Sequence, residues 1–74
     1  MIQGDKVRGR FCGHDFTGVV TDSHFIDSRS EAMTITIDQP FEYAGYVRDT
    51  LLVGLRDGTT PIGECLESIE KVAA

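Results

Sequence analysis

Four sets of residues in this 74-residue chain carry side chains capable of chemistry. The first is Cys12-Gly13-His14, with His24 and Cys65 as further potential metal ligands. Zinc is usually held by four nitrogen or sulfur ligands that arrive as two tight pairs. Here there is one tight pair, and Cys65 stands alone in sequence, so neither a metal nor another cofactor is expected. Cys12 and Cys65 read instead as small buried apolar residues. The second set is His14-Asp15 with Asp22 and His24. Histidine titrates near neutral pH and a carboxylate can orient it, which is the raw material of acid–base catalysis. No Ser or Cys nucleophile sits in a recognisable motif beside them. No catalytic residue is therefore assigned, and the chain is not expected to be an enzyme.

The third set is Lys6, Arg8 and Arg10, three of the seven cations, spaced to lie on one face of one strand. Such a face can grip a phosphate or an acidic partner; it can equally be a solvated face paired with Glu67 or Glu70. The fourth set is Phe41, Tyr43 and Tyr46, three of the six aromatic residues, followed by Arg48. Tyrosine and arginine recur at binding hot spots because each buries a large area and keeps a polar tip. Phe41 is expected to plug the core, with Tyr43 and Tyr46 exposed. Tyr43, Tyr46 and Arg48 are the expected partner-binding residues.

These side chains need strands to position them. Met33, Ile35 and Ile37 alternate with Thr34, Thr36 and Asp38, the period-2 signature of a strand with one buried and one wet face. Pro40 is expected to stop it, because proline brings no ladder donor. Before it, Lys6–Phe11 alternates with Val7, Gly9 and Phe11 inward. A second strand follows from Phe16 to Thr21, with Phe16, Gly18 and Val20 inward. The polar stretch Asp27–Glu31 reads as a mobile loop. After it, Val47–Leu55 forms a fourth strand with Leu51, Val53 and Leu55 inward. Asp57-Gly58 is a strong turn signal. Thr60-Pro61 has the look of a helix start, Thr60 capping and Pro61 in the first position. One helical turn there, then a last strand near Ile69–Val72, completes the pattern. The fold class expected is mainly β, a small five-stranded barrel with one short helical turn near the C-terminus, as a single domain over residues 1–74.

Composition narrows the function further. Twelve acidic residues against seven basic ones give −5 at neutral pH, which disfavours nucleic acid, since that partner demands phosphate-neutralising cations. No apolar run approaches the roughly 20 residues of a membrane-spanning helix. The opening residues lack the apolar core of a signal peptide, and two cysteines are too few for a secreted disulfide scaffold. The cytoplasm is the expected compartment, where the two cysteines would stay reduced even if the first and last strands pair. So short a chain buries a thin core, which favours a homo-oligomer.

The opening Gly4-Asp5-Lys6-Val7, the segment Phe16-Thr17-Gly18-Val19-Val20 and the ending Leu66–Val72 resemble an SH3-like small β-barrel of the KOW type or of the type II dihydrofolate reductases. The reductases of that family are tetramers around a shared pore lined by a Val-Gln-Ile-Tyr run. The nearest stretch here, Leu52-Val53-Gly54-Leu55, has neither the amide nor the phenol, so reductase activity is not expected. KOW barrels contact RNA, ribosomal proteins or transcription proteins, and the acidic charge turns the expectation toward a protein. The resulting expectation is a small accessory protein that binds a protein partner. The alternative is an oligomer holding a small molecule or nucleotide at a subunit interface, with Arg48 or the Lys6-Arg8-Arg10 face on its phosphate.

Overall fold

The computed structural model describes residues 1–63 and 65–72. Six strands follow one another: β1 (Lys6–Phe11), β2 (His14–Phe25), β3 (Ser30–Tyr43), β4 (Tyr46–Arg56), β5 (Thr60–Ile62) and β6 (Leu66–Lys71). They form one antiparallel sheet in the order β5-β4-β3-β2-β1-β6. The sheet curls until its two end strands approach each other. The result is a small, nearly closed antiparallel β-barrel, compatible with an SH3-like fold. No helix among the described residues is long and apolar enough to cross a membrane.

Four of the sequence expectations need correction. Among the described residues there are six strands rather than five, and no helical turn near the C-terminus. Thr60–Ile62 is a strand because the preceding turn sends the chain straight back. Asp57 and Gly58 both adopt left-handed φ (54° and 75°), and the Thr59 N–H donates to the Arg56 carbonyl at 3.2 Å. Thr60, Pro61 and Ile62 then pair with Arg56, Leu55 and Gly54. Pro61 is tolerated because β5 is an end strand of the sheet.

Pro40 does not end β3 either. The β3–β4 register jumps from Thr36↔Thr50 to Phe41↔Arg48, so residues 37–40 bulge opposite the single residue Asp49. Inside that bulge the missing proline N–H leaves no ladder bond unmade. The strand therefore continues through Tyr43 to a two-residue turn at Ala44-Gly45, whose φ values of 55° and 83° match the twist of a tight hairpin.

The inward faces follow the alternation of the sequence. Val7, Phe16, Val20, Met33, Ile35, Ile37, Leu51, Val53, Leu55 and Leu66 are buried together. Two inward positions are glycine for a steric reason. A Cβ on Gly9 would lie 2.1 Å from the Ser68 carbonyl oxygen, and one on Gly18 would lie 2.4 Å from that of Thr36. The neighbouring backbones occupy the space a side chain would need.

The Asp27–Glu31 stretch is tied down rather than loose. The Asp27 carboxylate accepts N–H bonds from Arg29 and Ser30, both at 2.8 Å. Arg29 holds Asp57 through two bonds of 3.0 and 2.8 Å, joining this loop to the β4–β5 turn. Ser30 and Glu31 are buried, and Glu31 takes an ion pair from the Met1 amine at 3.3 Å.

Replacing Gly18 by Ala should destabilise the protein by about 1–3 kcal/mol, the usual range for overpacking; urea unfolding that leaves the midpoint unchanged would refute the close approach. The Arg29 and Ser30 N–H groups lower the Asp27 pKa, and the Arg29 guanidinium lowers that of Asp57. A carboxylate whose folded pKa lies below its unfolded value stabilises above the unfolded pKa of about 3.9 and loses that contribution as pH falls through the folded one. Tm should accordingly drop below about pH 4, and Asp27→Asn should shrink that drop.

Candidate binding site

The β3–β4 hairpin carries the aromatic set beyond the bulge. Tyr43 pairs with Tyr46 across the Ala44-Gly45 turn, and Phe41 pairs with Arg48. The Arg48 guanidinium carbon lies 6.0 Å from the Tyr43 ring centre and 5.7 Å from that of Tyr46. Both separations fall at the reach of a cation–π contact, about 6 Å. Two rings thus bias the position of one cation at the hairpin tip.

The aromatic residues divide their roles differently from the sequence expectation. Phe41 is half-buried against the core, as expected. Tyr43 is half-buried too: its ring meets Phe11 edge-on at 5.6 Å, and its hydroxyl lies 3.4 Å from the Cys65 sulfur. Phe11 also sits 6.4 Å from Phe41, and the His14 imidazole stacks on Phe41 at 4.6 Å. These rings close one end of the barrel. Tyr46 alone of the two tyrosines is largely exposed, at 69%, and its neighbour Val47 is 72% exposed.

The neighbouring Cys12 and Cys65 thiols, through hydrogen bonding and charge, together with burial push the Tyr43 pKa well above the ordinary tyrosine value. In return the Tyr43 bond favours the Cys12 thiolate. The Cys65 thiol, burial and the Cys65 and Glu67 charges outweigh it, and the Cys12 pKa is raised. Cys12, Cys65 and Tyr43 therefore meet. His14 is close by on Phe41, whereas His24 lies at the other end of β2, 3.9 Å from Asp22 and exposed. The two histidines do not share a site. Among the described residues no three His, Cys, Asp or Glu side chains converge to hold a metal.

Lys6, Arg8 and Arg10 lie on the outer face of β1. Arg8 donates to Glu70 at 2.5 Å, and Arg10 stands between Asp15 at 3.3 Å and Glu67 at 3.5 Å. Arg8 and Arg10 also line a cleft of about 500 Å³ with Thr17, Gln39 and Ser68. Lys6 lies outside it, in a neighbouring depression with Val19 and Asp38. Gln39 reaches the cleft from β3, beyond Ile37, which pairs with Gly18 of β2.

On β4 the apolar residues Leu52, 76% exposed, and Val47 also face outward, and only the exposure of Val47 was not signalled by the sequence. Leu52 is the outward member of the nearly continuous apolar run Leu51-Leu52-Val53, whose outer side a second subunit is one way to cover.

The phenolate absorbance that Tyr43→Phe removes should titrate above the ordinary tyrosine pKa of about 10. Replacing Cys12 and Cys65 by Ala should bring it back toward that value; a Tyr43 signal at the ordinary value in the wild type would contradict the bonded arrangement. No protein family, no curated protein and no solved structure matches this chain.

Proposed function

We propose that this chain is a non-catalytic binding module that takes a protein partner on the tip and outer edge of the β3–β4 hairpin, with Tyr43, Tyr46 and Arg48 as the contact residues. The observation that carries this reading is the pair of tyrosine rings around the Arg48 guanidinium. A side chain already biased in position loses less entropy when a partner immobilises it. Val47 and Leu52 add apolar area along the same strand, the combination found at interface hot spots.

The strand itself contributes. Among the described residues, β4 pairs with β5 only over Gly54–Arg56, so the stretch from Tyr46 to Val53 has one side with no neighbouring strand. An extended partner segment can be bound there by main-chain hydrogen bonds, with side chains giving selectivity. Self-association belongs to the same proposal: Leu52 and, across Gly54, Ile62 form an exposed apolar strip suited to a second copy. The family reading within the SH3-like class is a KOW-type or type II reductase-like barrel, supported by Gly4-Asp5-Lys6-Val7 leading into β1. On this reading the protein works in the cytoplasm as a small accessory factor.

The cleft beside Arg8 and Arg10 favours a second reading, a small anionic ligand or nucleotide. Such a ligand would have to displace Glu70, Asp15 and Glu67 from the two guanidiniums.

Affinity capture with the wild-type chain and with a Tyr46→Ala, Arg48→Ala double variant separates the readings. Both substituted residues are exposed, so the variant should keep its Tm while losing the partner. A partner retained by the folded variant would refute the hairpin site. The ligand reading instead expects a thermal shift with nucleotides, about 2.7 kcal/mol at a hundred times the Kd. Native mass spectrometry gives the assembly, and a strict monomer at high concentration would remove the self-association proposal.

A further inference from the structure

We propose that Cys12 and Cys65 form a reversible oxidation site, closing a cross-strand disulfide when a small-molecule disulfide such as oxidised glutathione supplies the oxidising equivalents. The site stands apart from the binding reading, because neither sulfur is required for it. Cys12 follows the last residue of β1, and Cys65 precedes the first of β6. Phe11 faces Leu66 in the β1–β6 ladder, and the Cys12 N–H donates to the Cys65 carbonyl at 2.7 Å. The two cysteines therefore stand directly opposite each other. Opposed residues in an antiparallel pair have Cα atoms about 4.5–5.5 Å apart, inside the roughly 4.4–6.8 Å that disulfides span.

The side chains turn the same way. The Tyr43 hydroxyl is 3.4 Å from the Cys65 sulfur, and the Cys12 thiol is close enough to both groups for each to act on its pKa. Both residues are only half-buried, so a small disulfide can reach them. The barrel's own closure holds β6 on β1 and brings the thiols together.

The exchange balances without any further reactant. A thiolate of one cysteine attacks one sulfur of oxidised glutathione, expelling a glutathione thiolate and leaving a mixed disulfide on the protein. The second cysteine, as thiolate, attacks the protein sulfur of that mixed disulfide and expels the second glutathione. Two electrons pass from the protein to glutathione, and the two thiol protons end on the two glutathione thiols. Only thiolates attack. Because the Cys12 pKa is raised, oxidation should be slow at neutral pH and accelerate as pH rises.

The test treats the folded, full-length wild-type chain with oxidised glutathione, quenches with acid and measures intact mass and alkylation. The expected product has lost two hydrogens, carries no glutathione, and has both cysteines protected from alkylation until a reductant is added. Non-reducing digestion should join the peptide containing Cys12 to that containing Cys65, and Tm should rise in the oxidised form. Cys12→Ser should instead stop at a stable glutathione adduct on Cys65. Wild-type protein that accumulates stable glutathione adducts, dimerises through sulfur, or remains fully alkylatable would overturn the proposal, and that result needs no variant to fold.

Discussion

The barrel depends on how closely its strands approach at Gly9 and Gly18. At each position a neighbouring carbonyl occupies the space of a Cβ, so β6 lies tight on β1, and β3 on β2, at points where any side chain would push them apart. That closeness lets a sheet of only six strands curl enough to bury ten apolar side chains. It also sets the position of everything attached to the ends of β1 and β6. The thiol pair and the Phe11 ring, against which Tyr43 packs, are where they are because the two ends of the chain share one seam.

The four-residue bulge in β3 does a second job. It releases the hairpin from the register of the barrel wall, so that Phe41 and Tyr43 fold back over the open end while Tyr46 and Val47 face water. The hairpin is thus half lid and half exposed surface. One of its tyrosines, Tyr43, is held by packing and by the Cys65 sulfur with part of its surface still open, and the other, Tyr46, is largely exposed. The cations on β1 are in the opposite situation, since Arg8 and Arg10 are engaged by carboxylates from β2 and β6.

Much of the wall was legible in the sequence because period-2 alternation is a local signal. The inward sets Val7/Gly9/Phe11, Phe16/Gly18/Val20, Met33/Ile35/Ile37 and Leu51/Val53/Leu55 all face the barrel as their spacing implies. What could not be read depended on partners. Pro40 looked like a stop because its tolerance rests on a bulge defined by Asp49 across the ladder. Thr60-Pro61 looked like a helix cap because only pairing with β4 makes it a strand. Ala44-Gly45 lacks the Asn or Asp that usually announces such a turn, and Ala44 adopts left-handed φ without that help. The meeting of Cys12, Cys65 and Tyr43 unites three distant segments, and no window of sequence contains it.

Among the described residues one side of β4 before Gly54 has no neighbouring strand, which bears on solubility. A strand lacking a neighbour is a template for its own kind, and chains with long flat edges grow into fibres. Here Arg48 and Asp49 sit within that edge, and the far strand β5 is only three residues long and contains Pro61. Two copies laid antiparallel about that charged pair, both showing the same face, meet arginine against arginine or aspartate against aspartate, which is unfavourable for directly opposed like charges. The edge can stay open for a foreign strand and still resist endless stacking with itself.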